Sequence, residues 1–148
     1  MSTENKQELA TFEGQQFNVV DDITSGKAYY FSGELETKDE KKAFYNAVQN
    51  PDEQLRDHIN ETIDLVNIYA APVELDSQEE PGVKVTAPRI ILFDADGTTF
   101  TCCSVGIYNS MKQIIQTFGY PQEWDEPIKV QVKQISRGAN QILTLKVL

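Results

Sequence analysis

The sequence predicts a mainly β protein with helices: an acidic helical extension, then a five-stranded antiparallel barrel with one helix between its third and fourth strands. Residues 87–118 have the pattern of a β-hairpin that runs directly into one amphipathic helix. Residues 128–148 alternate polar and apolar side chains over two segments joined by a turn. Residues 1–80 hold 18 acidic and 6 basic residues, whereas residues 81–148 hold 5 and 7, so the charge balance changes from −12 to +2.

The strands of the barrel are predicted from apolar and β-branched runs bounded by turn residues. They are residues 62–75, 89–93, 98–103, 128–135 and 141–148, and an aromatic-rich segment at residues 28–35 predicts one further strand in the extension. In the long first segment, Pro72 is expected at a bulge or an edge, because proline cannot donate to a neighbouring strand. Counted from residue 62, the order strand, strand, strand, helix, strand, strand is that of the OB-fold, which binds oligonucleotides.

Turn and capping residues define the central hairpin and its helix. Asp94 to Gly97 form a turn signal, in which Gly97 can adopt a positive φ. Ser104 can cap the helix that follows, because its hydroxyl can accept a hydrogen bond from an amide of the first turn. Gly119 and Pro121 predict the end of this helix. Five apolar side chains share one helical face, namely Ile107, Met111, Ile114, Ile115 and Phe118.

Helices are also predicted in the acidic extension. Thr37 and Glu40 have the spacing of a capping box, which predicts a helix that continues to about Gln49. Pro51 suits the first turn of a second helix, which is expected to run through Ile59. The extension is therefore expected to contain one or two helices.

Length and composition indicate a cytoplasmic protein. Its 148 residues can bury a core, and residues 1–61 (the extension) and 62–148 (the barrel) are expected to form one compact unit. No apolar run is long enough to cross a membrane, and no apolar segment follows the polar N-terminus, so neither a membrane span nor a signal peptide is expected. Cys102 and Cys103 are adjacent in one predicted strand and should point to opposite faces, which disfavours a mutual disulfide. Because His58 is the only histidine, no metal site and no cofactor are predicted.

One motif also suggests a phosphatase. Residues 90–99 resemble the first motif of haloacid-dehalogenase-like phosphatases, in which Asp94 would be the nucleophile and Asp96 the acid/base. That chemistry needs later parallel βα units that supply a lysine and further metal ligands, whereas only 51 residues follow Gly97 (148 − 97). A hairpin turn explains the same residues through ordinary turn chemistry and is the favoured interpretation.

The polar face of the C-terminal hairpin is the leading candidate for a binding surface. Alternating lysines there could neutralise phosphates, which would make the affinity depend on salt. The cations assigned to phosphates are Arg89, Lys129, Lys133, Arg137 and Lys146, and the aromatic residues assigned to base stacking are Phe93, Phe100, Tyr69 and Trp124. The alternative is that these lysines only solvate an exposed sheet face and that the phenylalanines belong to the core.

The acidic front part supports a second hypothesis of a different class. An acidic protein-interaction module, such as an inhibitor of a host protein or a DNA mimic, would use the carboxylates Asp52, Glu53, Asp57, Glu61 and Asp64. Binding would then map to the front half and would involve a protein. The candidate cations on and around the C-terminal hairpin, together with the candidate stacking residues, support nucleic-acid binding instead.

Several short segments from Tyr45 to the C-terminus share residues and spacing with one known family. They are Tyr45-Asn46-Ala47, Asn50-Pro51-Asp52, Ala87-Pro88-Arg89, Cys103 to Ser110, Phe118-Gly119-Tyr120-Pro121, and Trp124 ahead of Ile128-Lys129-Val130. In these segments the chain resembles the small single-stranded DNA-binding proteins of tailed phages that infect Gram-positive bacteria. The resemblance implies an OB-like fold, sequence-independent coating of single-stranded DNA during phage replication or recombination, replication proteins such as a polymerase or helicase as partners, and no catalysis. Many such proteins end in an acidic recruiting tail, whereas this chain ends within a predicted strand, so tail-mediated recruitment is not expected.

Overall fold

A curled, mixed β-sheet and two α-helices make up most of the structure, a computed structural model that describes residues 10–12, 15–17, 29–77, 79–138 and 140–148. In chain order the elements are β1 (Ala10–Phe12), β2 (Gln15–Phe17), β3 (Tyr30–Phe31), α1 (Lys38–Gln49), β4 (Glu53–Gln54), β5 (Thr62–Asp76), β6 (Lys84–Asp94), β7 (Thr99–Cys103), α2 (Val105–Phe118), β8 (Ile128–Arg137) and β9 (Asn140–Val147). Short 3₁₀ turns lie at Leu55–His58 and Pro121–Glu123. The prediction of a mainly β protein with helices is confirmed.

The main sheet has seven strands, and six of them are paired in the order β9–β8–β5–β6–β7–β4. The seventh strand, β3, also pairs with β5, at residues further along β5 than those that pair with β8. The pair β4–β7 is parallel and the other pairs are antiparallel. This is two strands more than the five predicted, because β3 and β4 from the front part of the chain join the sheet. The curled sheet is consistent with a barrel-like fold. Strands β1 and β2 pair with each other in a separate hairpin.

Strands β5 and β6 form the long central hairpin of the sheet. A shift of register between Leu65 and Asn67 marks a bulge in β5. Pro72 lies opposite Pro88, beyond the residues that pair with β3 and β8, so β5 has no second described neighbour at this point. The edge position predicted for Pro72 is therefore confirmed, and the bulge lies elsewhere in the strand.

The main core lies between the inner face of the sheet and α2. Helix α2 starts as predicted, because the Ser104 hydroxyl accepts a hydrogen bond from the Ile107 amide at 3.1 Å, and it ends at Gly119, whose φ is 89°. Most of the predicted apolar stripe of α2 packs into this core, but Phe118 is 47% exposed. The fully or nearly buried members of the core are Leu55, Ile63, Leu65, Ile68, Ala70, Ile90, Leu92, Phe100, Ile107, Tyr108, Met111, Ile114, Val130 and Val132.

Helix α1 covers the opposite, outer face of the central strands. Its capping box is confirmed, since Thr37 Oγ1 accepts from the Glu40 amide at 3.1 Å and Glu40 Oε1 accepts from the Thr37 amide at 2.9 Å. The hydrogen bonds that the Glu40 carboxylate accepts from the Thr37 and Glu36 amides lower the pKa of Glu40. Phe44 and Val48 of α1 pack on a second cluster of buried side chains that includes Tyr69. The front part of the chain therefore forms a second hydrophobic layer on the sheet.

The prediction of a second helix at residues 51–59 is wrong. The segment instead forms β4 and a 3₁₀ turn, and the strand predicted for residues 28–35 is only Tyr30–Phe31. Asp52 explains the first difference, because its carboxylate accepts from the Thr99 amide at 3.0 Å and its own amide donates to Thr99 Oγ1 at 3.0 Å. These bonds align the segment beside β7, and Leu55 behind it is completely buried. Tertiary contacts override the local helical signals here.

Candidate nucleic-acid interface

The outer face of the β8–β9 hairpin carries alternating polar side chains, as predicted. Lys133 lies opposite Thr144 and Gln131 lies opposite Lys146, and Lys129 completes the row along β8. On the other face of the same strands, Val130 and Val132 are fully buried, and Leu143 and Leu145 pack against the core. We call the outward-pointing side chains of Lys129, Gln131, Lys133, Thr144 and Lys146 the hairpin face.

Lys129 does not present a free charge on this face. Its ammonium lies 2.9 Å from the Asp64 carboxylate, and the side chains are 55% and 45% exposed, respectively. The hydrogen bond to Asp64 raises the pKa of Lys129 above its ordinary value, so the lysine stays protonated while its charge is compensated. A phosphate at this position would compete with the carboxylate.

Lys133 differs from Lys129 because its partner is neutral. Its ammonium donates to the side-chain carbonyl of Asn60 at 2.9 Å. Lys146 is exposed, and no hydrogen bond or ion pair to it is found in the part of the chain that the structure describes. These two lysines therefore keep their full charges on the hairpin face. Arg137 is the last residue of β8, but its side chain lies outside the described part of the structure.

Arg89 belongs to a different surface from the hairpin lysines. It lies on β6 opposite Cys103, and its guanidinium donates to the Val48 carbonyl at 2.7 Å. That carbonyl is in the last turn of α1, where backbone acceptors lack partners within the helix. Arg89 thus connects α1 to the sheet.

Tyr69 and Phe93 lie on the outer face of β5 and β6, beneath α1. Phe93 is half-buried and its ring centre is 5.4 Å from that of Phe31. Tyr69 is 7% exposed, with the Phe44 ring of α1 at 5.8 Å and the Tyr29 ring stacked at 5.9 Å. Burial raises the pKa of the Tyr69 hydroxyl. Tyr69 is therefore covered by the extension rather than presented to solvent.

The remaining two aromatic candidates point toward the main core. Phe100 is 8% exposed and its ring meets that of His58 edge-on at 5.1 Å. Trp124 is half-buried against the core, and its indole N–H donates to the Gly119 carbonyl at 2.9 Å. Trp124 retains an exposed part on the connector that leads into β8, whereas Phe100 offers almost no surface to a base.

Four of the five carboxylates assigned to an acidic interaction module have partners within the described part of the protein. His58 Nε2 lies 2.9 Å from Glu53 and His58 Nδ1 lies 2.8 Å from Glu61. Asp52 accepts a hydrogen bond from Thr99, as described above, and Asp64 forms an ion pair with Lys129. The hypothesis of an acidic interaction module therefore gains no support.

The motif that resembles a phosphatase is a hairpin turn. Strands β6 and β7 on either side of it are antiparallel, not the parallel strands that the phosphatase chemistry needs. Asp94 accepts from the amides of Asp64 and Asp96 at 3.2 and 3.0 Å, and Asp96 accepts from the Thr98 amide at 2.8 Å. The hydrogen bonds from the backbone amide and the side chain of Thr98 lower the pKa of Asp96. Both carboxylates are structural, and the turn interpretation is confirmed.

Two exposed residues were not among the binding candidates of the sequence analysis. Asn60 approaches Lys133 from 73 positions away, so no local pattern could reveal the contact. Its backbone φ is 74°, and asparagine is one of the few non-glycine residues that adopt this conformation readily. Tyr45, which is 62% exposed on α1, is an aromatic side chain available to solvent that was not assigned to stacking.

Among the described residues, no group of three His, Cys, Asp or Glu side chains could hold a metal ion. No helix in the same part of the chain is long and apolar enough to cross a membrane. Cys102 and Cys103 are both free, with Cys102 half-buried and Cys103 exposed, in agreement with the predicted opposite faces.

The chain also matches a known family. The model of the family described as phage single-stranded DNA-binding protein matches residues 25–148, a range that includes both helices and all seven strands of the main sheet. No curated protein and no solved structure matches the chain significantly. The family inferred from the short segments of the sequence is therefore confirmed. Because the match covers most of the chain, including the hairpin face and the strands that support it, this protein belongs to the family of phage single-stranded DNA-binding proteins.

Proposed function

We propose that this protein binds single-stranded DNA without sequence preference on the hairpin face, and so coats and protects DNA during phage replication or recombination in the host cytoplasm. The proposal rests on Lys133 and Lys146, two neighbouring lysines of the hairpin face whose charges no described carboxylate compensates. In a chain whose net charge is −10, such a local positive surface favours an anion as partner.

The register of the hairpin places these lysines diagonally across β8 and β9. Lys133 is paired with Thr144, so Lys146 is its diagonal neighbour, about 7–8 Å away. Two lysines on neighbouring strands of one face attract an anion to the surface between them. Phosphates of a single strand would supply that anion, and the release of their counterions would favour binding at low salt. Arg137, which follows on the same strand, is included in the proposed contacts.

Stacking is assigned to the half-exposed aromatic residues. Trp124 and Phe93 keep part of their rings accessible, and base–aromatic stacking contributes about 1–3 kcal/mol per base for any base. Tyr69 and Phe100 are left out of the proposed contacts, because burial leaves each of them less than a tenth exposed. Arg89 is left out because its guanidinium donates a hydrogen bond to the Val48 carbonyl of α1.

The finer description of the fold is part of the same proposal. We assign β5, β6, β7, α2, β8 and β9 to the strand and helix order of an OB-fold, with residues 1–61 as an extension that forms one compact unit with residues 62–148. This unit is supported by β3 and β4, which join the main sheet from the extension. The protein is proposed to act by binding alone, with replication proteins such as a polymerase or helicase as partners.

A titration with a fluorescent oligo-dT of about 30 nucleotides, longer than the site of one OB-fold, tests the proposal. Binding should be salt-dependent and similar for a mixed sequence. Lys133→Gln and Lys146→Gln should each lower the magnitude of the slope of log affinity against log salt by about 0.7, the value for one phosphate on a single strand.

A charge-neutral pair of changes provides the matched control. Asp64→Asn with Lys129→Gln removes a lysine from the same face together with its carboxylate, so the salt slope should stay at the wild-type value. Absence of binding at low salt would overturn the proposed function. A slope that changes in the control but not in Lys133→Gln and Lys146→Gln would overturn the assignment of the surface.

A further inference from the structure

We propose that Asn60 is a positioning residue of the DNA surface, which holds the Lys133 ammonium in place without neutralising its charge; this inference rests on the proposed function. The observation is the hydrogen bond from Lys133 Nζ to Asn60 Oδ1 at 2.9 Å. An ammonium has three N–H donors, so two of them remain for phosphate oxygens.

The backbone around Asn60 is fixed to β8 by bonds on both sides. The Asn60 amide donates to the Val132 carbonyl at 2.6 Å, and the Gln131 side-chain amide donates to the Asn60 carbonyl at 2.9 Å. The Val132 amide in turn donates to the Glu61 carbonyl at 3.0 Å. The turn that carries Asn60 is therefore aligned with the segment of β8 that carries Lys133. The contact between the Asn60 and Lys133 side chains is thus supported by backbone hydrogen bonds.

The conformation of Asn60 restricts which residues can serve here. Its φ of 74° is accessible to glycine, asparagine and aspartate at small cost. Glycine would fit the backbone but has no acceptor for the ammonium. Aspartate would fit and accept, but its charge would compensate Lys133, as Asp64 compensates Lys129 on the same face. Asparagine is the one of the three that orients the lysine and leaves its charge available.

This arrangement lowers the cost of binding a phosphate. A free lysine loses considerable rotamer freedom when it is fixed against a ligand, whereas Lys133 is already held before DNA arrives. The two lysines of β8 therefore differ in function through their partners: Asp64 makes Lys129 part of a neutral pair, and Asn60 makes Lys133 an oriented cation. The number of phosphates contacted is set by this difference as well as by the number of lysines.

Substitution of Asn60 separates charge from position. Asn60→Asp should lower the salt slope for oligo-dT by about 0.7, as Lys133→Gln does, because Lys133 becomes paired. Asn60→Gly should leave the slope unchanged and weaken binding about threefold, because the charge remains while the orienting hydrogen bond is lost. In a Lys133→Gln background, Asn60→Gly should have no further effect on affinity, because Asn60 acts through Lys133.

A matched control excludes a general effect of added negative charge. Asn109→Asp makes the same change at an exposed position of α2 and should leave the salt slope close to that of the wild type. Thermal unfolding of each variant identifies any loss of the folded state. If the wild type does not bind oligo-dT, the proposed function fails. If the wild type binds and Lys133→Gln lowers the salt slope while Asn60→Asp does not, the proposed role of Asn60 is overturned and the proposed function stands.

Discussion

The Leu145 amide on the outer edge of β9 donates a hydrogen bond to the Ser110 hydroxyl of α2 at 3.1 Å. One turn earlier in α2, a side chain at Gly106 would overlap the Leu143 carbonyl, so only glycine permits this close approach of helix and strand. Helix α2 therefore covers the edge of β9, where no second strand pairs in the described part of the sheet. An uncovered edge would expose unpaired backbone groups to other chains.

Ser110→Ala should lower the free energy of unfolding by about 1–2 kcal/mol, because the half-buried Leu145 amide loses its acceptor. Alanine is the better helix former, so this loss has to exceed a small gain in helix propensity. Urea denaturation measures the difference. Asn109→Ala, at the exposed neighbouring position, provides the control and should not be destabilising. Equal stability of Ser110→Ala and wild type would show that water replaces the hydroxyl at no cost.

Arg89→Gln should destabilise the protein by about 1–2 kcal/mol, since the Val48 carbonyl and the C-terminal end of α1 lose a charged donor. The salt slope of oligo-dT binding should remain at the wild-type value, because the guanidinium is turned toward α1. The exposed Arg56 of the 3₁₀ turn offers a comparison, and Arg56→Gln should change stability little. A slope reduced by about 0.7 in Arg89→Gln would assign Arg89 to DNA after all.

His58 should make stability depend on pH near neutrality. Both of its ring nitrogens face carboxylates, which accept hydrogen bonds, so the protonated ring, in which both nitrogens donate, fits this site best. The hydrogen bonds to Glu61 and Glu53 raise the pKa of His58 above its ordinary value of 6.5. A raised pKa in the folded state means that the stabilisation is complete below the unfolded value and is lost as pH rises through the folded value.

Urea denaturation between about pH 6 and pH 8.5 measures this loss. The free energy of unfolding of the wild type should fall by about 0.5–1 kcal/mol more over this range than that of His58→Gln, which does not titrate there. Glu61→Gln should reduce the pH dependence without abolishing it, because Glu53 remains. Parallel curves for wild type and His58→Gln would mean that the imidazolium contributes nothing to folding.

Two substitutions of Trp124 separate stacking from packing. Trp124→Phe and Trp124→Leu both remove the hydrogen bond to the Gly119 carbonyl, but only leucine lacks a ring on which a base can stack. We expect Trp124→Leu to bind oligo-dT about 5–150-fold more weakly than Trp124→Phe, the effect of losing one stacked base. Equal affinities for the two variants would show that Trp124 packs in the core and does not stack on a base.

The sequence by itself determined the elements whose signals are local. The capping box of Thr37 and Glu40, the cap at Ser104 and the turn at Gly97 all act within a few residues and lie where they were predicted. The alternation in β8 and β9 likewise determined which side chains share the hairpin face, because successive side chains of a strand point to opposite faces. The family could be predicted from the sequence for the same reason, because the residues that carry the resemblance lie in short segments.

Only the tertiary structure decided what lies across from each of these side chains. Lys129 and Lys133 are equivalent by periodicity, yet one meets Asp64 and the other Asn60, over 65 and 73 positions of the chain. The aromatic character of Tyr69 could be predicted, but its cover by Phe44 of α1 could not. Periodicity specifies a face, whereas the charge and exposure of a side chain on that face depend on distant segments that folding brings into contact.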